Sequence, residues 1–135
     1  KRDGTLWCWG QNSQGQIGNN TTTPYNSPQK LMFISNVSQI SGGWAHTCAS
    51  KTDGTLWCWG YNGFGELGIG STTQKNIPTQ LYFNNTYKIS AGTYDTCASK
   101  TDGTLWCWGN NGDGQLGIGS TTQKNIPTQL YFTWK

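Results

Sequence analysis

Five cysteines carry most of the chemistry this sequence could do, and their spacing is regular: Cys8, Cys48, Cys58, Cys97 and Cys107. Cys48 and Cys58 stand ten residues apart across an Asp-Gly, as do Cys97 and Cys107. Thiols so arranged can bond to one another, ligate a metal or attack a substrate. Zinc fits poorly. The pairs lack a C-x-x-C knuckle, and the single histidine, His46, is replaced by Asp95 at the matching place in the next repeat, so no ligand set recurs. The same replacement removes the basic partner that a nucleophilic cysteine needs. Two readings remain: a disulfide across each turn, or a reduced, small, buried apolar residue.

The turn between the paired cysteines bears on that choice. With Thr52, Asp53 and Gly54 as a three-residue loop and Gly54 in the left-handed region, Lys51 faces Thr55, Ser50 faces Leu56, Ala49 faces Trp57 and Cys48 faces Cys58. If Lys51 and Thr55 form a hydrogen-bonded pair, alternation makes the cysteines a non-hydrogen-bonded pair, with Cα atoms about 4.5 Å apart. That lies inside the disulfide range. A two-residue Asp-Gly loop would set Cys48 against Trp59, and a slip of one residue sends the two sulfurs to opposite faces. We expect the longer loop, and with it disulfides Cys48–Cys58 and Cys97–Cys107, because each whole hairpin carries both cysteines. Cys8 has no partner in the chain. Disulfides imply an oxidising setting: extracellular, cell-surface or periplasmic.

The hairpins belong to a larger period. DGTLWCWG occurs at 3–10, 53–60 and 102–109, and residues 47–83 match 96–132 at 34 of 37 positions. The exceptions are Tyr61/Asn110, Phe64/Asp113 and Glu66/Gln115. Residues 1–135 thus read as a single tandem array with units of approximately 1–50, 51–99 and 100–135, about 2.7 repeats. In the middle unit the β-like runs are 30–35, 37–41, 45–50 and 55–60, followed by a glycine-rich loop to Pro78. Four short strands in a period of about 50 residues make a propeller blade. Composition agrees, since 19 glycines, eight tryptophans and only 11% charged residues favour short strands and turns over helices. The expected fold class is all-β, built of β-propeller blades of four antiparallel strands.

These units resemble the repeat of the regulator of chromosome condensation family. The motifs that carry the likeness are WGYNGFGELGIG and WGNNGDGQLGIG, the prolines that follow them (Pro78, Pro127), SGGWAHTCAS and SAGTYDTCAS, and the returning DGTLWCWG. The resemblance covers essentially the whole chain. Members of that family form seven-bladed propellers, and a closed propeller needs roughly four to eight blades. The resemblance therefore implies an excerpt of a larger, seven-bladed array; the other reading is that several copies complete a ring or filament. It also brings guanine-nucleotide exchange on a small GTPase to mind, an activity of only some members and one that the cysteine pattern sets in the wrong compartment.

In the octamer, alternation places Trp57 and Trp59 on one strand face and Leu56 and Cys58 on the other, so both faces are apolar, as a blade between two neighbours requires. Trp7, Trp9, Trp57, Trp59, Trp106 and Trp108 are expected to pack, and Trp44 and Trp134, outside the octamer, to be exposed. GFGELG and GDGQLG satisfy G-x-G-x-x-G, but IGSTTQKNIP follows where a dinucleotide site needs a helix. These glycines are read as tight-turn and close-approach positions between blades, with Asn12, Asn62 and Asn111 satisfying loop backbone groups. The acids Asp3, Asp53, Asp95, Asp102, Asp113 and Glu66 read largely as turn residues rather than a convergent pair, and a single histidine assembles no Ser/His/Asp set. No catalytic, cofactor or metal site is expected.

Nine basic and six acidic side chains give a net charge of +3 with no run of Lys or Arg, which disfavours nucleic acid. No stretch approaches the roughly 20 apolar residues of a membrane span. Asn-x-Ser/Thr sequons at Asn19, Asn20, Asn36 and Asn84 would be glycosylated only in a host that does so. The expected function is a non-enzymatic, disulfide-braced scaffold presenting loops to a protein or glycan. Its binding positions are read as Tyr61, Phe64, Glu66, Asn110, Asp113, Gln115, Trp44 and Trp134, since recognition usually sits at loop tips on a rigid frame. Self-assembly through open blade edges is the alternative.

Overall fold

A computed structural model describes residues 1–132, which form ten short strands and no helix. In chain order they are β1 Trp7–Gly10, β2 Tyr25–Lys30, β3 Val37–Gly42, β4 His46–Lys51, β5 Leu56–Gly60, β6 Lys75–Gln80, β7 Thr86–Ala91, β8 Asp95–Lys100, β9 Leu105–Gly109 and β10 Lys124–Gln129. All pairs are antiparallel, and three sheets result: β1-β2, then the four-stranded β3-β4-β5-β6 and β7-β8-β9-β10. β7 packs against both β3 and β4, so the four-stranded sheets meet as neighbouring blades do.

The β4–β5 hairpin has the three-residue loop. Cys48 stands opposite Cys58, Ala49 opposite Trp57 and Ser50 opposite Leu56. Lys51 N donates to Thr55 O at 3.0 Å, Gly54 N donates to Lys51 O at 2.9 Å, and Gly54 has φ +81°. That left-handed backbone is one glycine adopts without a Cβ penalty. The β8–β9 hairpin repeats the register with Cys97 opposite Cys107. Disulfides join Cys48 to Cys58 and Cys97 to Cys107, each with Cα atoms 4.1 Å apart, and Cys8 is a free thiol.

The repeated Asp-Gly-Thr-x-Trp has its own local reason. Asp53 Oδ1 accepts from Thr55 N at 3.0 Å and from Thr55 Oγ1 at 2.6 Å, while Thr55 Oγ1 accepts from Trp57 Nε1 at 3.0 Å. The same relay runs through Asp3, Thr5 and Trp7 and through Asp102, Thr104 and Trp106.

Two strand positions differ from the sequence reading. The run at 30–35 is not a strand: β2 precedes it as the partner of β1, and residues 31–36 cross over to β3. Leu31 and Ile34 are buried in the crossing while Met32 and Phe33 are exposed, so an apolar run that imitates a strand is a plug between sheets. Conversely, Lys75–Gln80 is strand β6 rather than the end of a loop. Pro78, which lacks an N–H, is tolerated there because β6 is an edge strand and its register against β5 shifts between Cys58 and Gly60.

The core lies between sheets. Leu6, Ile17, Leu31, Ile34, Ala49 and Trp59 fill one seam, and Cys48, Leu56, Cys58, Leu67, Leu81, Phe83, Ala98 and Trp108 the next. The two faces of β5 thus serve two different seams. Trp59 and Trp108 are fully buried, and Trp7, Trp57 and Trp106 half-buried. Trp9 departs from the packing expectation at 59% exposed, because the loop that covers its counterparts comes from a preceding sheet and β1 belongs to the first. Trp44 is exposed, and Trp134 lies outside the described residues.

Candidate functional site

The loop after β5 is fixed from within and from the next sheet. Asn62 Oδ1 accepts from Leu67 N at 2.9 Å, and its Nδ2 donates to Ser71 O and Thr73 O, both at 2.9 Å. Asn12 and Asn111 close the corresponding loops in the same way. So held, the loop offers the Glu66 carbonyl to the third sheet, where Trp108 Nε1 donates to it at 2.9 Å and Thr96 Oγ1 at 2.8 Å. The Gln16 carbonyl receives Trp59 Nε1 at 3.0 Å and Thr47 Oγ1 at 2.8 Å in the preceding joint. Gly68 lies against the Trp108 indole, and a Cβ there would come within 2.6 Å of Nε1.

Four aromatic rings gather beside this joint. Trp44 comes from the β3–β4 turn, Tyr94 from the β7–β8 turn, and Tyr61 and Phe64 from the loop after β5. Ring centroids are 5.5 Å apart for Trp44 and Tyr94, 5.0 Å for Phe64 and Tyr94, 6.2 Å for Tyr61 and Tyr94, and 6.3 Å for Tyr61 and Phe64. These separations suit edge-to-face and tilted packing. Trp44 is 64% exposed and the other three are half-buried, so the cluster is a platform rather than a core.

Acidic groups adjoin it. Glu66 is fully buried; its Oε2 accepts from Phe64 N at 2.8 Å and its Oε1 has no hydrogen-bond partner. The Cα atoms of Glu66 and Asp95 both crowd Gly109, and the Asp95 carboxylate lies against Gly92 in the turn that carries Tyr94. Burial, with the Asp95 charge adding to it, pushes the Glu66 carboxyl up to about 7, and burial raises Asp95 as well. His46 Nε2 meets Thr96 Oγ1 at 2.9 Å. Thr96 gives its one proton to the Glu66 carbonyl, so His46 donates through Nε2 and its buried Nδ1 is left without a partner. Burial lowers His46 to about 4, and the ring is neutral at ordinary pH.

Of the positions singled out from sequence, Trp44, Tyr61, Phe64 and Glu66 come together here. Asn110, Asp113 and Gln115 sit on the corresponding loop after β9, where Asn110 N donates to Tyr94 O at 2.8 Å. There Asn110 Oδ1 accepts from Gly112 N and Gln115 Oε1 from Asp113 N, each at 3.0 Å. Glu66 is a turn residue as read, its carboxylate accepting from Phe64 N, whereas Asp95 corrects that reading by opening strand β8; Asp3, Asp53 and Asp102 brace the hairpin tips. Tyr94 and Asp95 were missed as site residues. Their signal was present in SGGWAHT against SAGTYDT, where the units diverge just before the long match begins at residue 47.

The comparisons agree with this architecture. A model of the regulator of chromosome condensation (RCC1) repeat matches residues 3–50, 53–99 and 102–133, and a second model of the same description matches 37–66 and 87–115. The ultraviolet-B receptor UVR8 of Arabidopsis thaliana is 44% identical over 48 residues, which is 34% of this chain and 11% of the receptor. Among solved structures, Prp20p of Saccharomyces cerevisiae has a TM-score of 0.88 at 23% identity, covering 98% of this chain and 35% of that one. Human WBSCR16 has a TM-score of 0.85 at 25% identity, covering 98% and 36%. Yeast RCC1 (Prp20) bound to Kap60 has a TM-score of 0.83 at 24% identity, covering 96% and 33%. The chain spans about a third of the length of these solved relatives. With all three units matched and the blade architecture shared, this chain belongs to the regulator of chromosome condensation (RCC1) repeat family.

Proposed function

We propose that the chain is a non-catalytic scaffold that binds a protein on the platform of Trp44, Tyr61, Phe64 and Tyr94. The observation that carries this reading is an exposed indole packed against rings whose backbones are already fixed by bonds within and between sheets. A rigid aromatic surface loses little freedom on binding, which is the usual character of an interface hot spot. The relatives support the partner class by analogy. Prp20p is described with its binding to Gsp1p and histones, and yeast RCC1 is seen with Kap60. The two disulfides support an oxidising setting, outside the cell or at its surface.

The test is a photo-crosslinking residue at position 64, compared with one at position 53 on the opposite end of the sheets. A protein captured from 64 alone, and lost on Trp44→Ala, is the expected result. Equal capture from both positions would overturn the reading, and a Trp44-dependent signal on a glycan array without any protein partner would replace protein by sugar.

A further inference from the structure

Resting on the binding reading above, we propose that the ring platform recognises a basic segment of its partner, seating an arginine or lysine side chain against the rings with Asp95 and Glu66 as counter-charges. Aromatic faces attract a cation placed within about 6 Å of the ring centre. The first-position tryptophan of every octamer, toward the opposite end of the sheets, already has such a cation from its own chain. Lys1 lies 4.3 Å from the Trp7 ring, Lys51 5.5 Å from Trp57 and Lys100 4.7 Å from Trp106. The platform rings have no such neighbour among the described residues.

The loops that carry the rings do not supply one. The loops at the platform end, residues 43–45, 61–74, 92–94 and 110–123, contain no lysine and no arginine, although the chain as a whole carries nine. That end instead holds Glu66, Asp95 and Asp113. Lys75 and Lys124 close the same end, opposite Gly60 and Gly109, so it carries three acids against two lysines in a protein whose net charge is +3. Glu66 adds an independent sign of an unmet demand: a fully buried carboxylate oxygen with no donor, on a residue bonded to the backbone of a platform residue. A buried acceptor left unpaired is costly, and a cationic donor nearby is what would relieve it. A second copy meeting the same face would bring the same excess of acids, so a basic foreign segment is the better complement.

The experiment uses the full chain with three peptide probes: blocked tetra-arginine, blocked tetra-glutamate and a neutral Gly-Ser peptide. Binding is read from the indole N–H resonances, with circular dichroism to confirm the fold of each variant. Tetra-arginine is expected to shift the Trp44 indole signal. It should bind at least about tenfold more tightly than tetra-glutamate, and raising sodium chloride from about 0.05 to about 0.5 M should weaken it. Trp44→Ala and Asp95→Asn should each weaken it by about fivefold or more, by loss of ring and counter-charge respectively. Asp53→Asn, an equal loss of charge at the far end, should change it less than about twofold. Tetra-arginine binding that is indifferent to Trp44 and Asp95, or absent, overturns the proposal. Binding of all three probes alike, each dependent on Trp44, also overturns it while leaving the platform as a binding surface. Trp44-independence of every probe and of the crosslinked partner would sink both.

Discussion

The two disulfides share one chemistry but stand in different surroundings, and that difference is measurable. Cys48 and Cys58 have no exposed surface and lie in the seam between the second and third sheets, whereas Cys97 is half-buried on the far face of the third. Mild reductant should therefore open Cys97–Cys107 before Cys48–Cys58, as peptide mapping after brief reduction and alkylation would record; simultaneous opening would contradict the burial difference. The non-reduced mass should fall four hydrogens below that of the fully reduced chain, with Cys8 as the only titratable thiol. Cys8 should react slowly near neutral pH, because burial pushes its thiol up to about 11 and the thiolate is scarce. Replacing Cys48 and Cys58 together by alanine should cost about 3 kcal/mol in denaturant unfolding, the value expected for freeing a short loop in the unfolded chain. The pairing was legible in sequence because it depends only on turn length and strand alternation, both local. The seam environment was not, since it is set by residues such as Ala98 and Trp108 about 40 to 60 positions away, and no local pattern encodes separations of that size.

At the scale of the element, the joint between sheets is one loop carbonyl receiving an indole N–H and a threonine hydroxyl, with a glycine beneath the indole. Gly68 and Gly117 make a natural comparison because they occupy the same place in successive units with φ of +68° and +66°. A Cβ at Gly68 would strike Trp108, while one at Gly117 meets only Leu130 Cδ2 at 3.3 Å. Both alanine variants bear the backbone penalty of about 1 kcal/mol. Gly68→Ala should lose a further ~1–3 kcal/mol from overpacking, and equal losses in urea melts would show that the indole is free to move aside. The glycine roles and the asparagine locks could be read in advance because the units repeat them. The strand boundaries at Leu31 and Lys75 could not be, since hydrophobic runs and prolines are ambiguous until the sheet edge is known. Three of the four platform rings were legible, Tyr61 and Phe64 as loop variation and Trp44 as a tryptophan outside the octamer. Tyr94 was not, because its role exists only where a turn of one sheet meets a loop of the sheet before it.

Across the whole molecule, the second and third sheets are held by a seam containing two buried ionisable groups that titrate with opposite consequences. Glu66 is raised to about 7 from an ordinary 4.5, so the fold prefers the protonated acid. Its contribution is whole below pH 4.5 and is lost as pH rises through 7, and the raised Asp95 acts in the same sense. His46 is lowered to about 4 from 6.5, so the fold prefers the neutral ring; that contribution is whole above pH 6.5 and is lost as pH falls through 4. Asp3, Asp53 and Asp102, lowered by their threonine hydrogen bonds, lose their smaller share only as pH falls below the ordinary carboxylate value of 3.8. Glu66→Gln separates these effects without disturbing the loop, because Gln115 makes the same backbone bond in the next unit that Glu66 makes here. The variant should match the parent at pH 4.5 and melt higher above pH 7, with the gap opening between those values in a series of thermal scans. A parent-like slope in the variant would mean that the carboxyl ionises without cost where it stands. The seam would then have to be wet, and the unpartnered Glu66 oxygen would no longer mark a demand for a cation.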